Sequence, residues 1–361
     1  MTAAEVLWYV AGAAAAVVLT WALVHVFWRA IGAYRVRQAG PSLLRASRHV
    51  LWRDPGTLDA LDAVGGPGGT SGRPVPPFRF LEEHTTGSHP CVSVQDARHR
   101  IWRVKWGTEV RAESFAVRFA WSCGYFAEVT YFVAHGTITS ANGLQRAGRC
   151  IGADGGFSDA RFELEDGAVK KLFEEHSWAW NDNPFIGTRE LSGLKIVVML
   201  LSNWDTKDRR DVARGSNTAI FEHVGEKGQR EARYLLSDWG GSMGRWGANP
   251  ATRATWDVLG FEEQTPQFVN GVQDGLVSFG YTGQRTGDVA AGISIEHARW
   301  FCPYARQLTY DYLVRALKAS GGTDDEADRF ARAITARVRQ LDEAIERSTP
   351  VPSPVSDRAA T

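Results

Sequence analysis

The sequence predicts an α+β chain of two lobes, a β-rich lobe with one helix and then a mainly helical lobe, behind an N-terminal transmembrane helix. Three observations predict it. Period-two alternation marks residues 91–138 and is interrupted once by a helical stripe. Beyond residue 188 apolar helical runs take over, broken by one hairpin. Leu7 to Trp28 (LWYVAGAAAAVVLTWALVHVFW) is 22 residues without a formal charge. The whole chain has 361 residues, 44% hydrophobic and 23% charged, which excludes wholesale disorder and a fibrous repeat. Its 41 Lys+Arg offset 41 Asp+Glu, so a nucleic-acid partner gripped through phosphates is not expected. Cys91, Cys123, Cys150 and Cys302 form no CxxC, which argues against a zinc ribbon or a disulfide scaffold.

Residues 1–6 are a short leading segment. At 1.5 Å per residue, the run from Leu7 to Trp28 spans a hydrocarbon layer of ~30 Å, with Trp8, Tyr9, Trp21 and Trp28 towards its ends. Arg29, Arg35, Arg37, Arg45, Arg48 and Arg53 follow it. That asymmetry places the N-terminus outside and the remainder on the cytoplasmic side of the inner (cytoplasmic) membrane, as a single-pass protein. Residues 29–77 read as a basic juxtamembrane segment and linker. Val64–Pro77 (VGGPGGTSGRPVPP) is expected to be a tether, since glycine and proline hold neither a helix nor a central strand. The folded body is expected over residues 78–347, its β-rich part to about 140 and its helical part from about 141. Residues 348–361 are expected to be a disordered tail.

Within the body, Cys91–Val94 and Ile101–Lys105 alternate around a turn-like stretch and read as a hairpin. Glu109–Cys123 has helical spacing, with Val110, Val117 and Ala120 on one stripe, and Gly124 ends it. Glu128–Ile138 returns to strand composition. Thr188 can cap a helix through Leu201 that is apolar on nearly every side, hence central and buried. It runs into the polar Ser202–Asp208. Asn217–Val224 and Glu231–Ser237 form a second hairpin, followed at once by Asp238-Trp-Gly-Gly. Pro303 suits the first turn of a helix faced by Leu308, Tyr312, Leu313 and Leu317. Thr323-Asp-Asp-Glu326 is a capping box opening a helix lined by Phe330, Ile334, Val338, Leu341 and Ile345. The aromatic stretch Trp178–Gly187 is expected to pack between the lobes.

Four chemically apt pieces fall in order along this layout. Lys105 ends a strand, where it can reach nucleotide phosphates. Glu113 sits on an apolar helix stripe, where a carboxylate needs a partner such as Lys105. Asp205 and Lys207 follow a rigid buried helix, and Asp238 closes a hairpin ahead of Gly240. This order resembles the protein kinase-like superfamily, with its strand lysine, helix glutamate, catalytic-loop aspartate and Asp-x-Gly metal motif. It is closer to divergent bacterial, HipA-like or lipid-kinase-like branches than to ordinary serine/threonine kinases.

The resemblance covers roughly Cys91 to Gly241 and implies a two-lobed kinase-like fold that moves the ATP γ-phosphate to a hydroxyl acceptor. It implies Asp205 as the base and Lys207 as the stabiliser of the transferred phosphate. Lys105 and Glu113 would clamp the nucleotide, with ATP and Mg as cofactors. Three positions depart from the family pattern. Arg210 stands five residues after Asp205, where the family carries its second metal ligand. A guanidinium has no lone pair for a metal, so Asn217, which opens the second hairpin, is expected to join Asp238 as metal ligand. Asp208 and Asp211 are the fallback. Trp239 replaces the usual Phe, and no G-x-G-x-x-G is present; Gly87, in Thr85–His89, is the one candidate for a phosphate-covering loop. A catalytically silent pseudokinase that binds nucleotide or a partner protein is the alternative, and a carboxylate hydrolase built on Asp205 and Asp238 a third reading.

Overall fold

The computed structural model describes residues 19–20, 47–165, 177–225 and 227–348. The Leu7–Trp28 segment, apart from Leu19 and Thr20, and the tail beyond Ser348 lie outside the described residues. Among those described, no helix is long and apolar enough to cross a membrane. The elements run β1 (Arg48–Val50), β2 (Phe78–His84), β3 (Cys91–Gln95), β4 (Ile101–Trp106), α1 (Val110–Ser122), β5 (Thr130–Thr139) and β6 (Gly156–Leu164). Then follow α2 (Arg189–Leu200), β7 (Thr218–Val224), β8 (Arg230–Leu236), α3 (Val258–Gln264), β9 (Val269–Gln273) and β10 (Leu276–Phe279). Helices α4 (Thr286–Val289), α5 (Ile295–Arg306), α6 (Tyr310–Ala319) and α7 (Asp324–Arg347) complete the order. This is an α+β architecture.

Strands β2-β3-β4-β6-β5 close into a barrel, sealed by a short parallel pairing of Phe78 and Arg79 with Ile138 and Thr139. Alternation drives it. Val92, Val94, Trp102, Val104, Tyr131 and Phe162 all point inward and are fully buried. Between β4 and β5 the chain makes α1, which turns Phe115, Val117 and Phe119 away from the barrel into the larger core formed by α2, α5, α6 and α7. One helix thus belongs to both bodies.

Thr188 caps α2 by accepting the Leu191 N–H (3.2 Å). Thr323 and Glu326 form the expected capping box on α7. The helix expected to start at Pro303 is corrected. Ser294 caps α5 nine residues before Pro303, which lies inside that helix. Thr309 caps α6 as a separate helix carrying Tyr312, Leu313 and Leu317.

The segment read as a tether is instead docked. Asp62 accepts the N–H groups of Val64 (3.0 Å), Gly65 (2.8 Å) and Thr70 (2.7 Å). Buried Arg118 of α1 donates to the Val64 carbonyl (3.3 Å), and the Tyr131 hydroxyl to that of Gly69 (2.9 Å). Arg98 and Arg100 take the carbonyls of Ser71, Gly72 and Arg73 at 2.6–2.8 Å. Glycine is what permits this approach, since a Cβ on Gly68 would stand 2.1 Å from the Tyr131 hydroxyl. Upstream, β1 pairs parallel with β8, in the sheet order β1-β8-β7. Arg48 (2.5 Å), Arg53 (3.1 Å) and Arg233 (3.0 Å) converge there on the nearly buried Glu231 carboxylate. Among the described residues the folded body therefore extends upstream of Phe78 to Ser47.

Candidate functional site

Strand β4 ends by carrying Lys105 to the N-terminal end of α1. Its Nζ lies 2.8 Å from Glu113 Oε1 and 2.8 Å from Glu109 Oε2. Glu113 is 1% exposed, and its second oxygen meets Arg161 Nη1 at 3.1 Å. Arg161 stands directly opposite Lys105 in the β4–β6 pairing, so one buried carboxylate is held between two cations. Without that pairing it would be costly to bury.

Asp238 completes this group from two residues beyond β8, its Oδ1 accepting the Gly240 N–H at 2.8 Å. Burial alone would raise the Asp238 carboxyl. The Lys105 charge, the Gly240 N–H and the Arg161 charge outweigh it and hold the group down to about 2. Burial pushes Glu113 up to about 7; Arg161 and Lys105 oppose that rise, and the neighbouring Asp238 charge adds to it. Glu109, Glu113 and Asp238 each offer an oxygen within 4.8 Å of the others.

Asp205 lies on the loop leaving α2, and that loop is fixed from several sides. Arg337 of α7, buried, donates to the Leu200 carbonyl (2.9 Å), Ser202 Oγ (2.7 Å) and the Phe261 carbonyl (2.6 Å), so it caps the orphan end of α2. Burial depresses its pKa to about 9. Ser202 turns the chain with φ +48°. Asn203 Oδ1 accepts the Asp205 N–H (3.1 Å), and Trp204 N–H bonds the Gly241 carbonyl (3.0 Å). A Cβ on Gly241 would meet Asp205 Cβ at 2.7 Å, so that glycine lets the Asp238 segment lie against the Asp205 loop. Trp180, in the stretch expected to pack between lobes, is buried and donates to the Thr206 carbonyl (3.2 Å).

Asp205 Oδ2 meets Lys207 Nζ at 3.2 Å, whereas its buried Oδ1 has no hydrogen-bond partner. Burial raises its carboxyl, Lys207 opposes, and Asp238 adds to the rise. Asn217, 4% exposed, donates through Nδ2 to the Asp205 carbonyl (2.6 Å), and its own carbonyl accepts the Ser237 N–H (2.9 Å). Asn217 thus joins the Asp205 loop to the residue before Asp238.

Lys105, Glu113 and Asp238 therefore form one cluster, and Asp205, Lys207 and Asn217 an adjoining one. Gly87 (φ +95°) belongs to neither; it lies on the β2–β3 connection, in which His89 has Nδ1 3.3 Å from Glu109 Oε2. Asp208 and Asp211 are corrected as fallback metal ligands. Asp208 is fully buried and gripped by Arg210 through Nε (2.8 Å) and Nη2, and Asp211 is held by Arg285 (2.5 Å). Three residues escaped the sequence reading: Glu109, Arg161 and His89. Glu109 carried a usable signal, being four residues beyond Lys105 at a helix start.

No family model and no curated protein matches the chain. Among solved structures it is similar to the Rio2 kinase–ADP/Mg2+-phosphoaspartate complex from Chaetomium thermophilum. Identity is 13%, coverage 73% of this chain and 72% of that one, and the TM-score 0.27, too loose a likeness to carry a functional argument.

The resident ion implied by the kinase-like resemblance is magnesium. Hard carboxylate oxygens clustered around Asp238, with the unpartnered Oδ1 of Asp205 nearby, are a donor set suited to it.

Proposed function

We propose that the protein is a kinase-like phosphotransferase moving the ATP γ-phosphate to a hydroxyl acceptor. One observation carries this reading. A strand lysine paired with a helix glutamate shares a buried cluster with Asp238, and that segment abuts a rigid loop bearing Asp205. Assignment to a HipA-like or lipid-kinase-like branch rests on the order of residues alone.

In this reading Asp238 would hold magnesium, with Asn217 as its partner ligand, and the ion would supply charge neutralisation to the phosphates. Lys105 takes the nucleotide's α/β-phosphates. Arg161 lets it do so cheaply, because Glu113 keeps one cation when Lys105 turns towards phosphate. Asp205 accepts the acceptor hydroxyl's proton at its free Oδ1, and burial, which raises its carboxyl, makes it a better base. Lys207, 3.2 Å from the other oxygen, steadies Asp205 and the transferred group.

Calorimetric titration of the full-length chain with ATP and magnesium tests the nucleotide site. Asp205→Asn should leave that binding intact and slow transfer by roughly 10²–10⁴-fold, the usual worth of a general base. Binding without turnover in the wild type would favour a pseudokinase. Two observations favour that second reading: Arg210 replaces the expected metal ligand, and Glu109 already engages Lys105.

The membrane anchor over Leu7–Trp28, with the kinase-like body in the cytoplasm, belongs to the proposal as well. It rests on the uncharged run and the arginines after it. A reporter fused to the C-terminus should be active in the cytoplasm, and activity restricted to the far side would overturn the topology.

A further inference from the structure

At the C-terminal end of α1, opposite the end that carries Glu113, the chain surrounds a cavity of about 470 Å³. That is within the range of small-molecule sites, roughly 300–1,000 Å³. Trp121 lies about 12 Å along the helix from Glu113, at 1.5 Å per residue, and no residue of the Lys105 or Asp205 clusters lines the cavity. Its apolar lining is Trp121, Phe126, Val129, Leu164 and Phe221, joined by Leu61 from the docked upstream segment. That segment is pinned on both sides of Leu61. The Arg53 N–H bonds the Gly124 carbonyl (2.9 Å) and Trp52 Nε1 that of Cys123 (2.8 Å), while Arg118 holds the Val64 carbonyl. The cavity is therefore preformed, its walls set by bonds within the fold.

Its polar side is cationic. Arg53 and Arg233 both line the cavity, and both lie over the Phe126 ring, 5.7 and 4.8 Å from its centroid. They share one carboxylate, Glu231, with Arg48, so positive charge is in excess there. Arg53 reaches Glu231 through Nη2, and Arg233 through Nε and Nη2. A guanidinium has donors on all three nitrogens, so each retains some for a ligand. The acidic residues of the lining are engaged elsewhere. Asp54 turns back on its own loop, Oδ1 accepting the Gly56 N–H (2.9 Å), and the Glu128 charge acts on Arg103 and Arg161. Nearby His223 registers the same field. Burial lowers its pKa first and the Arg233 charge lowers it further; Glu231 opposes, and Arg53 adds to the fall.

We infer that this cavity binds a small aromatic acid, its ring among Trp121, Phe126 and Phe221 and its anionic group against Arg53 and Arg233. Aromatic walls favour a flat ring, and a fixed pair of guanidiniums suits a carboxylate or sulfonate. The inference goes beyond the kinase-like reading and does not rest on it. Fluorescence titration of the full-length chain with anilinonaphthalene sulfonate tests it, beside phenylnaphthylamine, the same ring system without the charge. Wild type should take up the sulfonate saturably and more tightly than the neutral probe, and excess ATP with magnesium should not displace it. Arg53→Gln should weaken the sulfonate by about fivefold or more, the worth of one partly exposed charge-assisted contact, and leave the neutral probe unchanged. Ala127→Trp, which fills the cavity, should abolish saturable uptake of both. The Arg53 side chain is 55% exposed, and Glu231 keeps Arg48 and Arg233 without it, so Arg53→Gln decides the matter if Ala127→Trp fails to fold. Sulfonate uptake that does not saturate, that survives Ala127→Trp, or that ATP displaces would overturn the site. Equal losses of both probes in Arg53→Gln would overturn the anionic ligand.

Discussion

Asp238→Asn is expected to reduce magnesium-dependent phosphoryl transfer by about a hundredfold or more, on the scale of losing one preorganised charge contact at a transition state, with the fold preserved. Two opposing effects keep the stability change small. The variant gives up an ionised carboxylate favoured by Lys105 and the Gly240 N–H. It also removes a like charge from Glu109 and Glu113, whose oxygens lie within 4.8 Å of it. A distinct pH signature should accompany the loss. Glu113 is raised to about 7, so its contribution to stability is full below 4.5 and is lost as pH rises through about 7. Removing the Asp238 charge lowers Glu113 again, so the decline of melting temperature across that window should be shallower in the variant. Thermal melts from pH 5 to 8, paired with turnover at several magnesium concentrations, read both effects. Unchanged metal dependence would make Asp238-Trp-Gly a structural turn.

Asn217→Ala and Arg210→Ala are expected to fail in opposite ways. The Asn217 side chain donates to the Asp205 carbonyl, whereas its bond from Ser237 is accepted by the main chain and survives the substitution, so the variant should cut turnover by about tenfold or more while costing only about 1 kcal/mol of stability. Arg210 touches neither cluster. It neutralises Asp208, a carboxylate with no exposed surface, and also reaches Asp288 at 3.0 Å. Arg210→Ala should therefore destabilise the protein by about 1–3 kcal/mol, the partly exposed guanidinium and the more distant Arg285 (3.9 Å) moderating the loss. What turnover remains per folded molecule should stay near wild type. Chemical denaturation and single-turnover assays on both variants separate the effects. A large catalytic loss from Arg210→Ala at unchanged stability would contradict the assignment.

The legible parts of the fold were those fixed by local periodicity. The α1 stripe, the Thr188 cap and the Thr323–Glu326 box are properties of consecutive residues, and the helices stand there within a residue or two. What escaped depends on distant partners. The Val64–Pro77 stretch has composition suited to a tether, and its order comes from Arg98, Arg100, Arg118 and Tyr131 reaching its carbonyls. Three-residue β1 has too little sequence to announce a strand; β8 makes it one. In the candidate site, Lys105 and Glu113 could be paired from a strand end and a helix stripe. Arg161 could not, because its place depends on the register that sets it opposite Lys105. Pro303 misled for a related reason, since the cap at Ser294 extends α5 across it.

The parallel joint between β1 and β8 has a mechanical consequence. At its N-terminal end the described body from Ser47 is joined to β8 through three strand residues and the arginines that converge on Glu231. A pull on that end enters the molecule at this joint, where a load along the strand axis shears the pairs Arg48 with Glu231 through Val50 with Arg233 together. The barrel has no free edge to peel and lies outside this load path. The strand that receives the force ends two residues before Asp238. Tension entering through β1 would therefore run along β8, whose Ala232, Tyr234 and Leu236 belong to the larger hydrophobic core, and reach the candidate metal ligand just past its end.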